Sequence, residues 1–368
     1  MTNEDLNYIF DILKGSKPIK EPDWYSVLGF LSTHRIEGLF YHKACEIEVP
    51  LPKKIKKLLK SSFDKQKRKV DHLRKYVKEL SNALINNNVE HVFLKGSVFA
   101  NTMNELAIYE DGERSSNDID VLVKPNKLID ATNNLKKMGY IQGTFDEKNN
   151  TIVPFSRKEI INRRMNRGEV APFIKLTGNA EFPYVEVDIN FSLGNTPNEF
   201  NELLERMIDN RILLKADFEI YALNLELFFI HLIMHQYKES CLYFMVSRSK
   251  DLDVYKLADI YYLFKRKTFD LKLLNEIIDE YELGEKVGTV LNQVAMAFSD
   301  QEMLDFANSY EIINPIIIDY DNTKRYCFNV DVRGRLKVYN SLNYLEEVHE
   351  KPFYRWEFPI DYFRGNNK

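Results

Sequence analysis

The feature that most narrows what this sequence can fold into is the run Tyr184-Val185-Glu186-Val187-Asp188-Ile189-Asn190-Phe191, in which apolar and polar residues alternate without a break. Successive side chains on a β-strand point to opposite faces, so Val185, Val187, Ile189 and Phe191 would face a core while Glu186, Asp188 and Asn190 share the other face. A second acid-bearing run, Asp118-Ile119-Asp120-Val121-Leu122-Val123, places Asp118 and Asp120 on one face by the same rule. A third β-rich run, Val89 to Leu94, leads straight into Lys95-Gly96-Ser97, the pattern of a strand that ends in a turn.

Helical patterning surrounds these runs. Leu6, Ile9, Phe10 and Leu13, then Val27, Leu28 and Leu31, recur at helical spacing, with Pro18 and Pro22 between the segments. Pro52 to Asn88 reads as one long helix loaded with lysine and arginine from Lys53 to Lys78. Residues 98 to 109 have helical character, Lys127 to Met138 reads as a helix stopped by Gly139, and Glu159 to Lys175 is basic and only weakly periodic. Leu223 to Tyr237, Asp253 to Arg266 and Leu271 to Phe298 read as helices able to pack as a bundle. The expected organisation is a helical N-terminal region (1–88), an α/β core (89–215), a helical bundle (216–310) and a C-terminal extension of unassigned structure (311–368).

Composition sets bounds on what such a chain does. Its 51 Lys plus Arg against 55 Asp plus Glu leave no bulk charge that would select a polyanionic partner. The three cysteines, Cys45, Cys241 and Cys327, fit no zinc or redox spacing. Met1-Thr2-Asn3-Glu4-Asp5 lacks the basic start of a signal peptide, and the apolar stretch Leu223 to Met234 is too short to span a bilayer and contains Glu226 and His231. A cytoplasmic protein with no membrane partner is expected.

Chemistry concentrates on the acidic strands. Carboxylates gathered on one face repel each other, and a divalent cation is the natural compensator. Mg²⁺, with Mn²⁺ as an alternative, takes oxygen ligands and binds through one or two carboxylates plus substrate phosphates. Asp118, Asp120 and Asp188 are therefore the candidate metal ligands, provided the two strands are neighbours. Gly96-Ser97, between a strand and a helix, offers backbone N–H groups and a hydroxyl to phosphate, with Lys95 as nearby positive charge unless strand alternation turns it away.

The order Phe93-Leu94-Lys95-Gly96-Ser97, Tyr109, Arg114, then Asp118-Ile119-Asp120-Val121-Leu122-Val123, resembles the nucleotidyltransferase superfamily that includes DNA polymerase β. Within it the likeness is to a bacterial branch of uncharacterised nucleotidyltransferases, over residues 90 to 260, with Val187-Asp188-Ile189-Asn190-Phe191 similar to its third acidic strand. That family often has histidine and tryptophan where this chain has Asn190 and Phe191. The resemblance implies an α+β fold, with a nucleotidyltransferase-type mixed sheet, flanking helices, and helical regions at both ends. It further implies that Asp118 and Asp120 hold metal, that Asp188 completes the site and activates an acceptor hydroxyl, and that Gly96 and Ser97 hold the triphosphate of an NTP such as ATP.

Several residues have a bland reading beside a functional one. Arg114 sits in the loop before the second acidic run and suits a bidentate phosphate contact as well as simple solvation. Glu186 is read as a solvated or salt-bridged strand residue. His231 and His235 share a helix face but lack the glutamate and third ligand of a zinc site, and are read as packed or hydrogen-bonded. Lys256 could reach a phosphate with Asp259 orienting it, or the two could be an ordinary surface pair. The basic helix is read as a solvated face, and the Arg157, Lys158, Arg163, Arg164 and Arg167 cluster as a cover for substrate or an exposed loop. The expected reaction is metal-dependent transfer of an NMP from an NTP to an acceptor hydroxyl, on a small molecule, peptide or protein ahead of RNA, with pyrophosphate release. The rival readings are a catalytically silent nucleotide- or partner-binding module and a tailoring transferase.

Overall fold

In the computed structural model the described residues are 1–99, 106–114, 116–166, 168–215, 218–246, 248–313, 316–319, 324–327 and 332–339. They form an α+β protein with a mixed sheet and many helices. The chain makes two compact units, one from Met1–Asp64, Leu232–Thr268 and Asn275–Lys368, the other from Lys65–His231 and Phe269–Leu274. Neither is a continuous stretch.

Three helices open the chain: α1 (Asn3–Leu13), α2 (Trp24–Thr33) and α3 (Glu37–Glu46). The first begins at Thr2, whose hydroxyl accepts from the Asp5 N–H at 3.1 Å while the Asp5 carboxylate accepts from the Thr2 N–H at 3.0 Å. Such reciprocal capping satisfies donors that a helix start leaves open. The long basic pattern is a single helix, α4 (Lys53–Asn86), and the division between the units falls within it, at Asp64 and Lys65.

The second unit is built on a six-stranded sheet of β1 (His91–Phe93), β2 (Asp118–Val123), β3 (Ile141–Asp146), β4 (Thr151–Pro154), β5 (Phe173–Leu176) and β6 (Tyr184–Asn190), in the order β1-β2-β6-β5-β3-β4. Only β2 and β6 pair in parallel; every other neighbouring pair is antiparallel. Alternation in β6 is reproduced atom for face: Val185, Val187 and Ile189 are buried while Glu186, Asp188 and Asn190 are half-buried. The expected helix after Ser97 appears as α5 (Gly96–Phe99); residues 100–105 lie outside the described ones, and Leu106–Tyr109 are not helical. The α6 helix (Leu128–Lys137) follows β2 after a short 3₁₀ turn.

The β3–β4 hairpin was not anticipated from the sequence. Its turn is closed by Asp146, whose carboxylate accepts from the N–H groups of Lys148 and Asn149, and by Asn150 at φ 49°. Short polar side chains that bond to the following backbone and tolerate a left-handed conformation are turn formers, and Asp146, Asn149 and Asn150 supply them. The basic stretch after it resolves into a helix, α7 (Arg157–Asn166), and strand β5.

The first unit is helical around an aromatic core. Phe10 meets Phe298 edge to face at 4.9 Å, and Tyr261 stacks on Phe298 at 4.0 Å. The expected helix from Leu271 to Phe298 is two helices, Leu271–Glu280 and Gly284–Phe298, parted by a turn with Glu282 at φ 50°. Beyond residue 312 the described residues form a strand pair, Ile316–Asp319 with Lys324–Cys327, and the helix Val332–Val338.

Two buried ionic groups help to fix this unit. The Lys256 ammonium, on the helix Val254–Lys265, bonds to Glu239 and lies 3.3 Å from Asp253. His235 reaches the other Glu239 oxygen at 3.3 Å. Burial pushes the Glu239 carboxyl up, but Lys256 and His235 beside it outweigh burial and hold it well below the usual range. Asp251, fully buried, meets the Arg335 guanidinium and accepts from the Tyr339 hydroxyl at 3.1 Å. Removing one partner of a buried pair leaves the other charge uncompensated. Lys256→Met is expected to cost about 3–5 kcal/mol, seen in a thermal melt as a fall of roughly 10 °C in Tm. A melting curve that superposes on the parent's would show that this pair contributes nothing.

Candidate active site

The parallel pairing of β2 with β6 decides the geometry. Asp120 lies opposite Asp188 and Asp118 opposite Glu186 in register. Paired strands run about 4.8 Å apart, so four carboxyl-bearing positions occupy one patch of one sheet face. The intervening residues Ile119 and Val187 are fully buried on the other face.

The turn after β1 joins this patch. Leu94 N–H donates to the Asp120 carbonyl at 3.1 Å, which carries the chain end of β1 past the acids. Lys95 then adopts φ 48°, a left-handed conformation uncommon for a side chain of its size. That breaks strand alternation, which would have turned Lys95 away, and its ammonium donates to Asp120 Oδ1 at 2.9 Å. Gly96 packs against the loop before β2 so closely that a Cβ there would stand 2.4 Å from Ser116 Cβ. Ser116 in turn donates to Asp118 Oδ1 at 2.9 Å. Ser97 is fully buried, and its hydroxyl oxygen has no hydrogen-bond partner. Arg114, half-buried, lies two residues before Ser116 in the same loop.

A further acid comes from a segment that no spacing in the sequence had marked. Gly168 O accepts from Phe191 N–H at 2.8 Å, and Val170 N–H donates to Ile189 O at 3.0 Å, so residues 168–170 run alongside the end of β6. Glu169 bridges Asn190 there, and its charge acts on Asp120, Glu186 and Asp188. Gly168 permits this approach, since a Cβ there would come within 2.6 Å of Ser192 Cβ.

Electrostatics follow from this crowding. Burial pushes the Asp120 carboxyl up; Lys95 opposes it and Asp118 adds to it, leaving a value of about 6. Glu186 is raised to about 7 by burial and then by Asp118 and Asp120, with Arg163 of α7 pulling the other way. Asp188 is raised well above the usual range by burial, Asp118, Asp120, Glu186 and Glu169. Glu186 is thus not the solvated or salt-bridged strand residue that its sequence position suggested, because its strand partner is itself an aspartate.

Of the other residues singled out, Lys256 belongs to the first unit and is held by Glu239 and Asp253, with its ammonium engaged by those two carboxylates and not by an orienting Asp259. The Arg157, Lys158, Arg163 and Arg164 cluster lies on α7, where Arg163 packs over the Phe155 ring at 4.7 Å; Arg167 is outside the described residues. His231 is buried in α9 (Leu225–Ser240).

Among the described residues no three or more His, Cys, Asp or Glu side chains are gathered into a ready-made metal cage. Mg²⁺ does not call for one, since it binds through one or two carboxylates with substrate phosphates and water supplying the rest. The acids on β2 and β6 are all hard oxygen donors, in mutual repulsion, with Lys95 as the neighbouring cation. In donor chemistry they fit such an ion.

A family model described as uncharacterised nucleotidyltransferase matches residues 20–298. None of the curated proteins compared matches the chain. Among solved structures, the crystal structure of an antigenic nucleotidyltransferase-like protein from Paracoccidioides brasiliensis is 14% identical, covers 58% of this chain and 90% of its own, and superposes with a TM-score of 0.32.

Two outcomes follow from the site's geometry. Groups whose folded pKa is raised favour the fold while protonated, and that contribution is lost as pH rises through about 6 for Asp120 and about 7 for Glu186. Asp188→Asn removes a repelling charge, so in metal-free buffer it is expected to raise Tm by about 2–5 °C at pH 8, with the gain shrinking towards pH 5. A gain equal at both pH values would count against mutual repulsion. Gly96→Ala drives a methyl into Ser116 and is expected to cost about 1–3 kcal/mol in urea unfolding.

Proposed function

We propose that this chain, which belongs to the uncharacterised nucleotidyltransferase family, transfers a nucleoside monophosphate from an NTP to an acceptor hydroxyl and releases pyrophosphate. The observation that carries the reading is the register of β2 on β6, which sets Asp120 beside Asp188 next to the Lys95-Gly96-Ser97 turn. Asp118, Asp120 and Asp188 are the residues that would hold Mg²⁺ or Mn²⁺. Such an ion, when bound, neutralises phosphate charge and stabilises the attacking and leaving oxygens of an in-line displacement.

The rest falls to the chain's own side chains. Gly96 brings backbone close to the phosphates, and the unpartnered Ser97 hydroxyl donates to one of them. Lys95 balances Asp120 in the free protein and transfers its ammonium to the phosphate chain of bound nucleotide. Arg114 gives a second, forked contact to the phosphates. Asp188, whose carboxyl is pushed well above the usual range by burial and the neighbouring acids, accepts the proton of the acceptor hydroxyl. The acceptor oxygen bonds to the α-phosphorus, the bond from that phosphorus to the β-phosphate oxygen breaks, and pyrophosphate departs. The acceptor is a small molecule, peptide or protein ahead of RNA, and the reaction takes place in the cytoplasm. No helix among the described residues is long and apolar enough to cross a membrane.

The Lys95–Asp120 bond favours one second reading, a module that binds nucleotide without turning it over, because an ammonium already occupies part of the metal's place. Incubation of the protein with labelled NTP, Mg²⁺ and cell extract, followed by mass spectrometry, separates the two. Added nucleotide mass and free pyrophosphate are expected, with Asp120→Asn reducing both by about 10²- to 10³-fold, the scale on which lost transition-state electrostatics is felt. Tight NTP binding with no pyrophosphate under any acceptor would favour the silent module.

A further inference from the structure

The acid-bearing face of the sheet does not end at the carboxylates. We propose that Tyr184 and Phe145, at its far side, bind the acceptor, and that the acceptor carries an aromatic ring near its hydroxyl. The subsite so defined serves the transfer reaction proposed above and rests on it.

Register places these residues. Glu186 pairs with Asp118 on β2 and with Ile174 on β5, and Ile174 pairs with Ile141 on β3, so the four side chains form one row across one face. Tyr184, two residues before Glu186, shares that face and has Leu176 as its β5 partner. Phe145, four residues after Ile141, shares it too and stacks on the Tyr184 ring, with centroids 4.4 Å apart and planes at 27°. Ile174 is buried, whereas Tyr184 and Phe145 are half-buried and Ile141 and Leu176 are each 45% exposed. The face thus passes from carboxylates to an aromatic and aliphatic surface that water still reaches. Apolar surface next to a few convergent polar groups is the make-up of a small-ligand site. Burial, then Glu186, Glu147 and Asp118, raise the Tyr184 hydroxyl, in keeping with its place beside the acids.

The geometry of displacement decides which substrate meets this surface. Strand β2 lies between β1 and β6, so the Lys95-Gly96-Ser97 turn flanks Asp120 from the β1 side, and Tyr184 stands on the other side. Attacking and leaving oxygens stand in line across the α-phosphorus. With pyrophosphate held at the turn, the acceptor enters over β6, past Tyr184 and Phe145. The nucleoside, an off-line substituent of the same phosphorus, is not on that path. Tyr184 lies about 7 Å along the strand from Glu186 and about 13 Å from Asp188, which sets the spacing between the acceptor's ring and its hydroxyl. A flat ring laid on the stack gains aromatic contact that an aliphatic group does not.

Titration of the full chain followed by ligand-observed NMR, in buffer with EDTA and no nucleotide, tests this with two pairs of probes. One pair is phenyl against methyl β-glucoside; the other is the blocked tripeptide tryptophan-glycine-serine against its leucine counterpart. The aromatic member of at least one pair is expected to bind about 3- to 10-fold more tightly, and the pair that shows it tells a small molecule from a peptide. Tyr184→Leu and Phe145→Leu, which keep apolar bulk, are each expected to abolish the preference, and Tyr184→Phe to keep it. Val153→Ala, at an exposed position paired with Thr144 on the opposite face, is expected to match the parent. Equal affinities within both pairs, a preference that survives Tyr184→Leu, or displacement of the aromatic probe by added AMP would overturn the assignment. Binding is read here without transfer, so a lack of pyrophosphate release in the assay above would sink the reaction and not this aromatic preference.

Discussion

The mutual repulsion of carboxylates across the parallel pair β2 and β6 is the constraint on which the rest of this protein's chemistry depends. A sheet could pair these strands in other registers, but one face has to keep Ile119, Val121, Val187 and Ile189 in the core. Because side chains alternate with a period of two, burying that apolar set forces Asp118, Asp120, Glu186 and Asp188 onto the opposite face together. The stability of the core and the tension of the acidic patch are therefore one decision, made by hydrophobic burial.

Much of this was legible in the sequence. The alternation of β6 and the Asp-Ile-Asp of β2 fix which residues share a face, since that follows from strand geometry alone. What the sequence does not state is which strands are neighbours, so Glu186 looked like a solvated residue until its pairing with Asp118 was seen. Lys95 was ambiguous for a related reason: its direction depends on a left-handed backbone angle that spacing does not reveal. Glu169 was invisible because it arrives by a backbone bridge from a loop, not by any local period. The β3–β4 hairpin was missed since its strands are half-exposed and carry little apolar contrast. Lys256 was read as a phosphate ligand from its helix position, but its partners come from Glu239, 17 residues away on another helix, and from Asp253.

Buried charge is handled in contrasting ways within the one chain. Around Lys256, and again around Asp251, each charge meets its opposite and the group behaves as structure. In the acidic patch, by contrast, Asp118, Asp120, Glu186, Asp188 and Glu169 act on one another, with Lys95 bonded to Asp120. Charge left in excess is energetically unfavourable for a fold on its own, which is why such places are where ligands of the opposite sign are sought.

The strained acidity of Glu186 and Asp188 has a consequence for whatever positive ion settles on that face. With Glu186 raised to about 7 and Asp188 pushed up by the same crowding, protons and an incoming cation compete for that face, and its occupancy and the local acidity become two readings of a single equilibrium. Acidification would then weaken the hold of the face on a cation in the same direction as a chelator does.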